Sequence, residues 1–214
     1  MELGLVRVGP VKIDKSCYVR QGRHRVEHFY KSIPGYFTYP THYHWVAQQM
    51  TGRKSPRLVE VGVYTGQSAA FLGVELVNVG VQDAELFLVD KYTDGGSAEE
   101  VLARLSPLSG KVKLTARAND SSAEATWFDD GSLDFVFIDA DHRYEGVSRD
   151  IDAWAPKVKR GGILAGHDFI DYQDFGVVRA VCERFSRFEV WPGTTDGGDA
   201  QMRGKYWPVW SVRL

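Results

Sequence analysis

From residue 57 onward the chain alternates short apolar runs with stretches of helical spacing, and this alternation restricts the fold more than any other feature. RLVEVGV (57–63), ELFLVD (85–90), KVKLTA (111–116), LDFVFID (133–139) and GGILAGH (161–167) are rich in Val, Leu, Ile or Phe and read as strands. Between them, Gln67–Val79, Ala98–Leu105, Ser121–Trp127 and Gly146–Val158 carry apolar residues at helical intervals, and a further helix is expected over Gly176–Phe185. Near-continuous apolar strands alternating with helices imply an α/β fold with a parallel sheet covered on both faces. The chain closes with two aromatic strand segments, FEVWP and WPVWSVRL, joined by the turn-rich GTTDGGDAQMRGK. That ending predicts a hairpin at the sheet edge, where an antiparallel strand is common.

Composition excludes several classes. At 214 residues the chain is long enough for one well-cored domain, and 43% hydrophobic with 25% charged residues is an ordinary globular balance. Two cysteines, Cys17 and Cys182, give neither a disulfide framework nor a CxxC motif. No apolar run approaches the length of a membrane span, and the first residues lack a signal-peptide core, so a cytoplasmic protein with no membrane partner is expected.

The net charge of −2 conceals a split. Residues 1–56 hold 9 Lys and Arg against 3 Asp and Glu, whereas residues 57–214 hold 17 against 25. The basic part includes QGRHRVEHFYKS, whose interleaved aromatics raise the possibility of a nucleic-acid grip; a solvated leader is the alternative. HFYKSIPGYFTYPTHYHWVAQQM is too rich in aromatics, histidines and prolines for a central strand, and THYHWVAQQM reads as a helix capped by Thr41. Residues 1–56 are therefore expected to form a helical flap over the strand C-termini, with 57–214 as the main domain.

Ligands of open α/β sheets bind outside the strand C-termini. The first such loop, VEVGVYTGQSAAF, carries Glu60, Gly62 and Gly66, and its helix starts near Ser68 with free N–H groups. It matches neither GxGxxG nor the GxxxxGK[ST] phosphate loop. The second strand ends in Asp90, where a carboxylate can accept both hydroxyls of a ribose. FIDADHRYEG and GGILAGHDF place Asp139, Asp141 and His142 at one strand end and His167 and Asp168 at the next. Adjacent strands lie ~5 Å apart, so these groups can converge, and clustered carboxylates call for a cation or a proton. A hard divalent ion such as Mg²⁺ suits oxygen ligands, while an imidazole ligand favours Mn²⁺, Fe²⁺ or Zn²⁺. Asp141 has a second reading as a cap for a helix beginning near Tyr144. Trp127 and Trp154 are expected in the core, and Lys157, Lys159 and Arg160 at a solvated helix end.

Together VEVGVYTGQS, LFLVDKY, ANDSSAEA, DFVFIDADHRYEG and GGILAGHDF resemble the class I S-adenosylmethionine-dependent methyltransferases, in particular their small-molecule O-methyltransferase branch, over about residues 57–185. The resemblance implies a Rossmann-like, doubly wound sheet of seven strands, mostly parallel with an antiparallel last strand. It implies S-adenosyl-L-methionine as cofactor, with Glu60, Gly62 and Gly66 along its methionine part, Asp90 on the ribose, and Asp120 with Ser121 beside the adenine. ANDSS departs from the usual Gly-Asp-Ser form of that third motif. Similarity to catechol-type and macrolide-sugar O-methyltransferases implies a divalent metal (Mg or Mn) at Asp139, His167 and Asp168, and a general base at His142. His167 stands where those enzymes carry an acid or amide. The implied reaction is methyl transfer to a hydroxyl of a small, sugar-like or natural-product acceptor; the sequence leaves a homodimer open and does not set the oligomeric state. Two rivals remain: an RNA methyltransferase gripping through the basic leader, against which the acidic cluster argues, and a catalytically degenerate cofactor-binding protein.

Overall fold

A computed structural model describes residues 25–193 and 207–214; residues 1–24, which hold QGRH of the basic stretch, and most of the turn-rich connection before WPVWSVRL lie outside it. Seven strands, β1 (Arg57–Val61), β2 (Glu85–Asp90), β3 (Lys113–Ala118), β4 (Leu133–Ile138), β5 (Val158–Gly166), β6 (Glu189–Trp191) and β7 (Val209–Arg213), form one sheet in the order β3-β2-β1-β4-β5-β7-β6. The first five pair in parallel, and β7 runs antiparallel to both β5 and β6. This is the expected Rossmann-like seven-stranded fold. The aromatic hairpin forms as predicted, but β7 is inserted inside the sheet and β6 becomes the edge.

The period of two along each strand sends alternate residues to opposite faces. Leu58, Phe135 and Phe137 join a core with α1 (Pro40–Gln49) and α2 (Gln67–Asn78). Val59, Val136 and Ile138 join a second core with α5 (Tyr144–Trp154) and α6 (Val177–Arg184). Both faces are thus covered, which accounts for the unbroken apolar character of the strands. The two remaining helices, α3 (Ala98–Arg104) and α4 (Ser121–Ala125), complete the alternation.

Three local readings are corrected. Helix α1 begins at Pro40 with Tyr39 as its N-cap, not at a Thr41 cap, because proline's fixed φ suits the first helical position. The helix expected to run to Val158 ends at Trp154, and a short 3-10 turn containing Pro156 leads straight into β5, so Val158–Arg160 is strand. Trp127 is 54% exposed, packed beneath the Arg117 guanidinium at 4.1 Å, whereas Trp154 is fully buried as expected.

Candidate active site

A cavity of about 570 Å³ opens along the C-terminal ends of β1, β2, β4 and β5, within the usual range for small-molecule sites. It lies where β1 and β4 part in opposite directions, the switch point at which this class of sheet binds ligands. Gly62 lets the chain after β1 pass close to the end of β4: its φ is +84°, and a Cβ there would stand 1.9 Å from the Asp139 carbonyl oxygen. Asp90 lines the wall and accepts hydrogen bonds from the backbone N–H of Val63 (2.7 Å), Tyr64 (2.9 Å) and Tyr92 (2.7 Å). One carboxylate therefore ties together the loops after β1 and β2 and still has a lone pair to offer.

At the other end, β4 and β5 deliver the acid–imidazole cluster. His142 Nε2 lies 2.8 Å from Asp168 and 3.7 Å from Asp139, and His167 Nδ1 lies 3.1 Å from Asp168 and 3.5 Å from Asp139. Asp168 has a φ of +55°, a left-handed conformation that Asp tolerates better than most residues. Two residues ahead of α1 complete the cluster: the Tyr39 hydroxyl donates to Asp139 at 3.2 Å, and Thr38 Oγ1 pairs with His167 Nε2 at 3.0 Å. Phe175 stacks on the His142 ring at 4.8 Å, with Trp207 beyond it.

Comparison with known proteins bears on what such a cavity serves. Residues 59–169, just over half the chain, match the family model described as a methyltransferase domain. The chain belongs to this methyltransferase family. Among solved structures it resembles an O-methyltransferase from Bacillus cereus in complex with SAH (14% identity, 86% of each chain, TM-score 0.60). It also resembles an S-adenosylmethionine-dependent O-methyltransferase from Thermotoga maritima (20% identity, 85% of this chain and 68% of that one, TM-score 0.58). An rRNA methylase from Streptococcus thermophilus shares the fold at 13% identity, over 80% of this chain and 93% of that one, with a TM-score of 0.58. At these identities the likeness is one of fold: an S-adenosylmethionine-binding methyltransferase sheet.

Of the residues read from sequence in this methyltransferase, Gly62, Ser68, Asp90, Asp120, Ser121, Asp139, His142, His167 and Asp168 line the one cavity. Glu60 and Gly66 do not. Glu60 falls on the face of β1 turned to α1 and α2, where it is fully buried and accepts hydrogen bonds from Tyr43 (3.0 Å) and Ser68 (2.5 Å). Burial pushes its pKa up to about 8 despite those bonds, so at neutral pH it is mostly the neutral acid. Gly66 instead caps α2 with a φ of +87°. Asp141 accepts from the backbone N–H and the guanidinium of Arg143 rather than capping α5, whose N-cap is Arg143 with no side-chain cap. Of the aromatic and histidine residues ahead of β1, Tyr36, Phe37 and Tyr39 line the cavity, whereas His44 pairs with Glu75 of α2. Thr38, Asp150, Phe175 and Trp207 were not anticipated, because they meet the strand ends only through tertiary packing.

One ligand atom each from Asp139, His142 and Asp168 lies within 4.8 Å of the others, a group of two carboxylates and one imidazole that fits a divalent ion. The histidine in this group is His142 rather than the expected His167, both of whose ring nitrogens are engaged by Thr38 and the carboxylates. Electrostatics also corrects the reading of His142 as a base titrating near neutrality. Burial alone would lower its pKa, but Asp139 and Asp168 outweigh burial and raise it to about 10. The same balance raises His167 to about 10 and holds the two carboxyls below their usual range. As the protein stands, two imidazoliums neutralise two carboxylates, and His142 carries a proton.

Proposed function

We propose that this methyltransferase transfers the methyl group of S-adenosylmethionine to a hydroxyl of a small, uncharged acceptor. The observation that supports this best is the shared cavity: the Asp90 wall where a ribose would be held and the Asp139, His142 and Asp168 cluster open onto the same space. The donor brings a methyl already activated on a sulfonium, so the chain has only to bind, align and manage one proton. Asp90 accepts from the ribose hydroxyls, and the bare backbone at Gly62 lets the donor lie close to the sheet. The Asp139, His142 and Asp168 set would hold a divalent ion, Mg²⁺ or Mn²⁺, whose chemistry is to lower the pKa of a bound hydroxyl. Tyr39 and His167 orient the two carboxylates, and His142, as a ligand, would help hold the ion beside the reacting hydroxyl. Phe175 and Trp207 offer flat apolar surface to the acceptor's ring beside its hydroxyl. A sugar or a natural-product hydroxyl is the acceptor class. The chain's partner in this reading is a small molecule.

The test is methyl transfer from S-adenosylmethionine across a panel of hydroxylated small molecules, with added Mg²⁺ or Mn²⁺ and with a chelator. His142→Ala is expected to lower turnover by about 10²-fold or more while SAH affinity stays within about threefold. Parallel loss of both would return His142 to a structural role. SAH binding without turnover on any acceptor would favour the degenerate binding protein.

A further inference from the structure

The end of the cavity away from the acid–imidazole cluster contains a carboxylate that the reading above leaves unused. Asp150, on α5, is 1% exposed yet lines the cavity beside Arg149, Asn119 and Ser121. Ser121 hydrogen-bonds to it and also accepts from Trp154 Nε1 at 3.0 Å, which fixes the serine between the two helices. Asp150 Oδ1 is buried with no hydrogen-bond partner among the described residues. A buried acceptor without a donor is unfavourable, and native proteins almost always supply one, from protein, water or ligand.

The other side-chain acceptors at this end, on Asp120 and Asn119, are already engaged. Asp120 accepts from Ser122 at 2.9 Å and pairs with Lys91 at 3.1 Å. Asn119 donates to Glu124 at 3.0 Å and accepts from the Asp120 N–H at 2.9 Å. Asp150 is thus the acceptor left over where sequence places the adenine. Burial pushes its pKa up only to about 6, so at pH 8 it is a carboxylate that accepts and cannot donate. Rotation about the Cβ–Cγ bond is soft in Asp, so the unpartnered oxygen can turn toward a donor in the cavity.

We infer that the Asp150 carboxylate accepts a hydrogen bond from the exocyclic amine of the cofactor's purine, and so selects a base that carries a 6-amino group. This rests on S-adenosylmethionine being the methyl donor. It makes Asp150 a specificity-determining residue rather than a catalytic one, remote from the transferred methyl.

The experiment is calorimetric binding at pH 8 of SAH and of its analogue with hydrogen in place of the 6-amino group. Measurements are made on the wild type, Asp150→Asn, Asp150→Ala and Asp150→Leu, each checked for a cooperative thermal transition. The wild type is expected to prefer SAH by about 10- to 100-fold, the range of a hydrogen bond to a charged acceptor. Asp150→Asn, which retains an acceptor oxygen, should keep a reduced preference, whereas Asp150→Ala should bind both ligands within about threefold of each other. If the alanine variant fails to fold, Asp150→Leu, which fills the space without an acceptor, carries the same comparison. A wild type indifferent to the amine, or an alanine or leucine variant that keeps the wild-type ratio, would overturn the inference. A wild type that binds no SAH would instead overturn the reading of the methyl donor.

Discussion

His42 sits 1% exposed on α1 among the rings of Tyr43, Trp45, Phe135, Phe137 and Trp191, and neither ring nitrogen has a hydrogen-bond partner among the described residues. Burial lowers its pKa to about 3, so the folded protein holds it neutral. The unfolded chain binds this proton near pH 6.5 and the folded one does not, so the stability it contributes is complete above pH 6.5. That contribution is lost as pH falls toward 3. At about pH 4.5 the loss is on the order of 2–3 kcal/mol, or roughly 5 °C or more in melting temperature. His42→Leu should remove this component, and an identical drop in Tm between pH 7 and 4.5 in both proteins would refute it. Glu60 works in the opposite sense. Its pKa is raised to about 8, so its contribution is complete below about pH 4.5 and declines as pH rises through 8. Glu60→Gln should therefore melt higher than the wild type at pH 8.5 and show no such gain at pH 4.5. The site was legible as far as residues that end strands: Asp90, Asp139 and Asp168 sit where an apolar run stops. What could not be read was which neighbour each side chain turns to. That decides why Glu60 faces Ser68 instead of the cavity, why His167 is occupied by Thr38, and why His142 is charged.

At the scale of elements, Glu75 on α2 joins three segments. His28 Nε2 lies 2.7 Å from one carboxylate oxygen and His44 Nδ1, on α1, 2.5 Å from the other. Burial would raise the Glu75 pKa, but the two histidines together bring it down to about 2. Its stabilisation is therefore fully present above about pH 4.5 and is lost as pH falls through 2. Glu75→Gln is expected to cost about 1–3 kcal/mol and to speed amide exchange in α1 and residues 26–33 more than in β1 or β4. Uniform acceleration would mean that Glu75 serves the core as a whole. Helices and strands were legible where the apolar period was clean, as in α2 and β2. They were misread where polar residues carry the backbone: Lys159 and Arg160 belong to β5 because Lys159 crosses to Asp134 on β4 at 2.7 Å. Only the partner strand reveals that pairing.

For the molecule as a whole, the proposed small neutral acceptor and an RNA acceptor differ in their response to salt. Along the cavity Lys91 and Arg149 accompany Asp120 and Asp150, and Asp139, Asp141 and Asp168 accompany His142 and His167. Turnover of a small neutral acceptor should change less than about threefold between about 50 and 300 mM salt. An RNA acceptor held by several phosphate contacts would lose affinity by orders of magnitude over that range. Among the described residues, no helix is long and apolar enough to cross a membrane. The strand order has a consequence for crowded solutions. Its outermost strands are β6, only three residues long, and β3, which carries Lys113 and Arg117. Short or cationic borders discourage a neighbouring chain from zipping on backbone to backbone, the usual first step toward fibrils. The apolar runs that make this sheet stable, Phe135–Ile138 of β4 above all, are kept in the middle, out of reach of another copy.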